Sequence, residues 1–138
     1  MADAHIRNDD LTLAFEAAVP LSPLAPRAAR VFLADSLPLL EERSLESAQL
    51  LLSEVLSMSV RHSALPPDTP IYIAVTLGSD VLRISVEDPG WEAVAPPATA
   101  WEGDAADLGS LLLSYIADRW GVDHGRRSPL VWFELDLA

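Results

Sequence analysis

The side chains that could do chemistry in this chain are carboxylates, arginines and three histidines, because the sequence contains neither cysteine nor lysine. Without cysteine there is no disulfide, no thiolate nucleophile and no cysteine metal site. The histidines, His5, His62 and His124, are far apart and share no ligand spacing, which argues against a zinc site. Without lysine there is no Walker-type phosphate-binding lysine. We therefore expect no metal site built by the protein.

Charge and hydropathy narrow the class of protein further. The net charge of -12 repels phosphate backbones, so nucleic acid is not an expected partner, and solubility is the simplest role for the acidic surface. No apolar run reaches the length of about 20 residues that a membrane helix needs. The first ten residues lack the basic and apolar regions of a secretory signal. We therefore expect a cytoplasmic protein with no membrane partner.

The 138 residues, half of them hydrophobic, are enough for one domain with a buried core, preceded by a flexible tail at residues 1–10. Apolar periodicity and turn signals predict the elements. They are a strand at 11–17, helices at 24–40 and 44–62, strands at 71–77 and 82–86, a helix at 109–120 closed by Gly121, and a strand at 130–135. This order predicts an α+β fold, a two-layer α/β sandwich with three helices on one face of a mixed, mainly antiparallel sheet.

Residues 88–107 form an irregular stretch rich in proline, glycine and alanine. A loop of this length inside a compact domain is usually functional or mobile. Trp91 and Trp101 lie in it, and exposed tryptophan is typical of a contact surface or a lid that folds down. The sequence thus indicates a functional loop between the fifth and sixth predicted elements.

Three segments in this order resemble the sequence boxes of the GHKL ATPases, most closely the short branch of anti-sigma-factor serine kinases. The first is Ser53-Glu54-Val55-Leu56-Ser57-Met58-Ser59-Val60-Arg61-His62, which is similar to the family's helical box S-E-L-V-T-N-A-V-R-H. The resemblance implies that Glu54 is the general base and that Met58 stands where the family has asparagine. It also places Arg61 and His62, at the end of this box, among the residues expected to bind the nucleotide, next to its phosphates.

The second segment, Asp88-Pro89-Gly90, is similar to the D-x-G box. There the aspartate accepts a hydrogen bond from the adenine amino group, and the glycine lets the backbone pass the base. The third segment, 107–121, resembles the family's G-x-G-L box and its A-D-x-W-G ending. Gly109 matches its second glycine, and Asp107 replaces the first. Residues 131–135 match the last strand, preceded by Ser128-Pro129 instead of Gly-Lys. The resemblance covers almost the whole chain.

Two departures bear on Mg-ATP. The family's asparagine gives an amide oxygen to Mg²⁺, a hard cation that prefers oxygen ligands, whereas Met58 offers only a soft thioether. Asp107 adds a negative charge beside the triphosphate if its side chain points inward, whereas the cost is small if it points to solvent. At an effective dielectric near 20, two charges about 4 Å apart repel by roughly 4 kcal/mol. We therefore expect binding of ATP and Mg²⁺ to be weak or absent.

Each singled-out residue also has a purely structural interpretation. Glu54 fits a helix residue near solvent, Met58 fits a core filler, and Asp88-Pro89-Gly90 fits a strand-to-turn signal. Arg61 and His62 fit a solvated helix end, where cations suit the helix dipole. For the adjacent Arg126 and Arg127, a salt bridge in the loop is the simplest interpretation.

The resemblance implies one of two functions, beside which a structural domain with no ligand is a third alternative. In the first, the chain is a regulatory protein with an ATP-binding fold and a degenerate site, a pseudoenzyme that acts by binding a sigma factor or an anti-anti-sigma-like antagonist. In the second, it is an active ATP-dependent serine kinase that phosphorylates such an antagonist. Relatives also self-associate, so a homodimer is a further expectation. The lost site positions favour the first function over the second.

Overall fold

A computed structural model describes residues 11–62, 65–89 and 108–137 of the chain. The elements are β1 (Leu11–Pro20), α1 (Ala25–Ser36), α2 (Glu42–His62), β2 (Pro70–Gly78), β3 (Val81–Glu87), α3 (Leu108–Ile116), β4 (Arg119–His124) and β5 (Pro129–Asp136). The predicted tail at 1–10 and most of the predicted loop at 88–107 lie outside the described residues. Among the residues that are described, no helix has the length and apolar character needed to cross a membrane.

The five strands form one sheet in the order β1-β2-β3-β5-β4. All four neighbouring pairs in this sheet are antiparallel, so the prediction of a mixed sheet was wrong. The connections explain two of these pairs: two-residue and four-residue turns join β2 to β3 and β4 to β5, and short turns return a strand antiparallel to its neighbour. The α+β class is confirmed, and the described part of the chain contains the three helices that were predicted.

The core lies between the helices and one face of the sheet. In β2, Ile71, Ile73 and Val75 are fully buried while the residues between them are only half-buried, as the period of two in a strand requires. The matching core positions in the next two strands are Leu82, Ile84 and Val86 of β3 and Val131, Phe133 and Leu135 of β5. The helix α2 closes this layer, because it packs against α1, α3, β3 and β5. This arrangement is consistent with a two-layer sandwich.

The third helix differs from its prediction. It ends at Ile116, and residues 119–124 form the edge strand β4, which the sequence analysis did not predict. Trp120 and Val122 pack against the core, and Gly121 between them pairs with Trp132 of β5. Gly121 is therefore not a helix cap but a strand residue opposite Trp132, and a Cβ atom there would lie 3.0 Å from the Trp132 ring.

The face of the sheet opposite the helices carries charged side chains that pair across strands. Glu134 of β5 is fully buried and forms ion pairs with Arg83 at 3.3 Å and with Arg119 at 2.7 Å. Arg119 also binds Asp136. The hydrogen bonds that Arg119 donates to Asp136 and to Glu134 raise the pKa of Arg119 above its usual value. The edge strand β4 is thus fixed to β5 by charge as well as by backbone pairing.

The turn between β4 and β5 is held by Glu87, the last residue of β3. The Oε2 atom of Glu87 accepts hydrogen bonds from the backbone N–H of Arg127 at 2.9 Å and of Ser128 at 3.2 Å. The guanidinium of Arg127 pairs with Glu16 at 2.7 Å and stacks on the Tyr72 ring at 3.9 Å. The predicted loop salt bridge is therefore confirmed for Arg127.

We expect Gly125→Ala to lower the free energy of unfolding by about 1–3 kcal/mol. A Cβ atom at residue 125 would overlap the carboxylate of Glu87, so that carboxylate would have to leave the two N–H groups it accepts from. Urea denaturation measures the change. Arg126→Ala, which truncates an exposed side chain of the same turn, is the matched control and should stay within about 0.5 kcal/mol. Equal effects of the two substitutions would contradict the role of Glu87 in holding this turn.

Candidate functional site

The C-terminal half of α2 presents two kinds of surface. Glu54 is half-buried and reaches solvent, while Arg61 is exposed in the last turn. Met58, one turn after Glu54, is only 2% exposed and belongs to the hydrophobic core. The structural interpretation of Met58 as a core filler is thus confirmed, and at this position the helix presents a thioether packed among apolar side chains.

Asp88 follows the last residue of β3 and is fully buried. Its backbone N–H donates to the carbonyl of Pro129 at 3.2 Å, which fixes Asp88 beside the start of β5. A buried carboxyl group is unusual, since carboxylates are almost never fully buried unless they have polar partners. The carboxyl group of Asp88 is therefore expected to have a polar partner inside the fold.

Two buried serine hydroxyls near these residues were missed by the sequence analysis. Ser59 of α2 is next to Met58 and is fully buried, and Ser128 precedes Pro129 and is 2% exposed. Within the described part of the chain, the Oγ atom of each has no hydrogen-bond partner. A buried hydroxyl without a partner costs free energy. The signal that could have found Ser59 is a serine at a position where the helical stripe is otherwise apolar.

The topology brings the end of α2 and Asp88 to the same end of the sheet. The chain leaves α2 at His62 and enters β2 at Pro70, and the start of β2 pairs with the end of β3 through Tyr72 and Glu87. Met58 lies one turn before the end of α2. Gly109 lies in the first turn of α3. Its separation from Asp88 stays a prediction, as does a common pocket with Glu54.

Four of the singled-out residues, Gly90, Trp91, Trp101 and Asp107, lie outside the described residues. The side chain of His62 does too, although the residue itself ends α2. Among the described residues, no group of three or more histidines and carboxylates is placed to hold a metal ion. The predicted site residues whose side chains the structure describes are Glu54, Met58, Arg61 and Asp88, and the buried hydroxyls of Ser59 and Ser128 lie next to two of them in the chain or through the backbone.

A cavity of about 580 Å³ lies elsewhere, at the opposite end of the sheet. It is lined by the connection from α1 to α2, by the turn between β2 and β3, and by Leu13 and Leu137. Gly78 at this cavity lies six residues, or roughly 20 Å of strand, along β2 from Tyr72, which pairs with Glu87 next to Asp88. The cavity and the predicted nucleotide site are thus two different places.

In comparisons with known proteins, no protein-family model matches the chain, and no curated protein matches its sequence.

The described candidate residues offer polar groups at Asp88 and Ser128 and an apolar side chain at Met58. A carboxylate at Asp88 and a hydroxyl at Ser128 are groups that can pair with the edge of a purine base. The thioether of Met58 is buried and is not an oxygen ligand of the kind that Mg²⁺ requires.

Proposed function

We propose that this chain is a regulatory protein with a GHKL-like ATP-binding fold, whose magnesium-dependent nucleotide chemistry is weakened or lost and which acts by binding a protein partner. The observation that carries the proposal is the contrast between two residues at one end of the molecule. Asp88 keeps a buried carboxyl group at the end of β3, while Met58 is 2% exposed within the core. The groups suited to a purine base are present, but the metal ligand is replaced by a packing residue.

Several further observations support this interpretation. The order of elements from β1 to β5 fits the order of the three resembling segments. Ser59 and Ser128 supply buried hydroxyl groups with no hydrogen-bond partner among the described residues, which a bound base or ordered water would relieve. The resemblance to anti-sigma kinases makes a sigma factor or its antagonist the partner we propose, and the cytoplasm the compartment.

The net charge of -12 favours a partner with a basic face. Opposite charge speeds the encounter of two proteins and weakens as salt is added. A complex formed through this surface is therefore expected to lose affinity as ionic strength rises. A homodimer remains part of the proposal only as an alternative partner.

The alternative function, an active serine kinase, has one observation in its favour. Glu54 is half-buried and not packed in the core, so its carboxylate can reach a substrate hydroxyl as a general base must. Met58 weighs against this alternative because its thioether does not supply the oxygen ligand that would fix a magnesium ion. We therefore keep binding, and not phosphotransfer, as the proposed activity.

Removal of magnesium provides the sharpest test. We expect any residual affinity for ATP to be weaker than about 100 μM, and to change by less than about twofold when EDTA replaces Mg²⁺, because no side chain anchors the ion. Adenosine should bind about as well as ATP. Isothermal titration calorimetry measures the affinity for ATP with Mg²⁺, for ATP with EDTA and for adenosine. The variant Asp88→Asn should abolish the heat of binding that comes from recognition of the adenine base.

Two outcomes would overturn the weakened site. One is low-micromolar affinity that disappears with EDTA, and the other is transfer of labelled phosphate from ATP to a serine of a protein substrate. The first would mean that another group holds the metal. The second would establish the kinase alternative.

A further inference from the structure

The cavity at the far end of the sheet is an apolar groove built by six leucines: Leu13, Leu37, Leu39, Leu40, Leu77 and Leu137. Three of them come from the short connection between α1 and α2, and the others come from three different strands or their ends. We call this surface the leucine groove. It lies roughly 20 Å of strand away from Asp88, so it is separate from the proposed nucleotide site.

One leucine of the groove stands almost fully in solvent. Leu39 is 98% exposed, while Leu37, two residues earlier, is 2% exposed and part of the core. The chain here is held in place: the N–H of Leu37 donates to the carbonyl of Leu33 at 2.9 Å, and that of Leu40 donates to Leu37 at 3.2 Å. Pro38 lies between them and fixes its own φ angle. Leu39 is thus presented by an ordered turn, which lowers the entropic cost of a contact.

The rim of the groove is acidic. Glu41 lines it, and Asp35, Glu42, Asp80 and Asp136 are exposed neighbours in sequence of lining residues. Arg43 is the one arginine next to a lining residue in sequence, beside Ser44, and Arg119 pairs with Asp136. Five carboxylates against these two guanidiniums leave this end with a local negative charge, which adds to the net charge of the whole chain.

An apolar groove with an acidic rim is complementary to a helix that has one apolar face and basic flanks. An amphipathic helix places leucine-like side chains at i, i+3, i+4 and i+7 on one face and can carry lysine or arginine on its flanks. The leucines of the groove would cover the apolar face and the rim carboxylates would meet the flanking cations. A small apolar molecule would leave Leu39 and the acidic rim unused, and an acidic helix would be repelled.

We propose that the leucine groove is the docking site for a basic amphipathic helix of the partner protein. This inference rests on the proposed function only in taking the chain to act by protein binding. It moves the expected interface from the loop of Trp91 and Trp101 to the connection between α1 and α2. It requires neither ATP nor magnesium.

The test uses the full chain and two labelled helical peptides of roughly 16 residues, a length at which helices begin to be stable in water. Both carry leucines at the same i, i+3, i+4, i+7 positions; one has lysines on its polar face and the other has glutamates. Fluorescence anisotropy measures binding. We expect the leucine-lysine peptide to bind and the leucine-glutamate peptide to bind at least about tenfold more weakly, with the difference shrinking at high salt.

Two pairs of variants locate the binding. Leu39→Ser should weaken binding about tenfold, since a buried leucine contributes on that order, whereas Leu24→Ser, a 69% exposed leucine at the start of α1, should not. Glu41→Gln should weaken binding more than Asp123→Asn, which removes one charge on the distant edge strand β4. Both exposed leucines lie outside the core, so neither change threatens the fold.

The outcomes separate the possibilities. If Leu39→Ser and Leu24→Ser lower the affinity for the peptide equally, or if neither lowers it, the leucine groove is not the docking site. Self-association in sedimentation that Leu39→Ser abolishes also overturns it, since the occupant would then be a second copy of the chain. Binding that Asp88→Asn leaves unchanged supports the groove. Failure of the groove leaves the magnesium experiment untouched, so the two proposals fail separately.

Discussion

Replacing Glu134 with alanine is expected to lower the free energy of unfolding by about 3–5 kcal/mol, the usual cost of leaving buried charge without its partner. Glu134 is fully buried between Arg83 and Arg119, whose side chains are 14% and 28% exposed. Removal of the carboxylate takes away the ion pair between Glu134 and Arg83 and leaves Arg119 with Asp136 alone. Urea denaturation followed by circular dichroism measures the loss.

A pair of controls separates charge from volume and from exposure. Glu134→Gln keeps the volume of the side chain but removes its charge, so most of the loss should remain if the ion pairs are responsible. Glu16→Ala breaks the more exposed pair with Arg127 and should cost about 1 kcal/mol or less. If Glu134→Gln is as stable as the wild type, the ion pairs contribute no net stability and the cost of Glu134→Ala is a cavity effect.

The ion pairs of Glu134 also mark the limit of sequence reasoning on this fold. The alternation of Ile71, Ile73 and Val75 predicted which face of β2 is buried, because the period of a strand is local information. Arg83 and Glu134 are 51 residues apart. They meet only because β5 lies between β3 and β4, and strand order is not encoded in any local pattern.

The edge strand β4 was missed for a different reason. The run Ala117-Asp118-Arg119-Trp120-Gly121 was interpreted as a helix end because glycine is common just after helices. The same letters also alternate: Trp120 and Val122 face the core, and Gly121 gives room to Trp132. Local pattern alone could not choose between the two, and pairing with β5 decides it.

The site was predictable where it rests on burial within one element. The residue type of Met58, a flexible apolar side chain, predicted a core filler, and the structure confirms it. Ser59 and Ser128 were missed, because a buried hydroxyl becomes informative only once its lack of a partner is known. The contributions of Gly90, Gly109 and Asp107 to a pocket stay predictions.

The double variant Met58→Asn with Asp107→Gly is expected to raise the affinity for Mg-ATP at least about tenfold, provided that the site is otherwise intact. The two halves of the gain have different physical signatures. The Met58→Asn change would supply an amide oxygen to the metal, so this half should disappear in EDTA. The loss of the charge of Asp107 relieves repulsion of the phosphates, so this half should persist without magnesium and be absent for adenosine.

The structure adds a cost that the sequence did not indicate. Because Met58 is 2% exposed in the core, Met58→Asn removes apolar contacts and buries an amide, which should lower the free energy of unfolding by about 2–4 kcal/mol. Met58→Leu is the matched control: it conserves apolar volume, should cost less than about 1.5 kcal/mol, and should bring no magnesium-dependent gain. Calorimetry with and without EDTA, beside urea denaturation of each variant, measures both effects.

Asp107→Gly alone keeps Met58 and tests the charge half of the gain without loss of packing. A gain from Met58→Asn that survives EDTA would contradict the role of the amide as a metal ligand. If the folded double variant shows no gain in affinity, the nucleotide site has been lost at more than these two positions. Binding of a protein partner would then be the activity left to this fold.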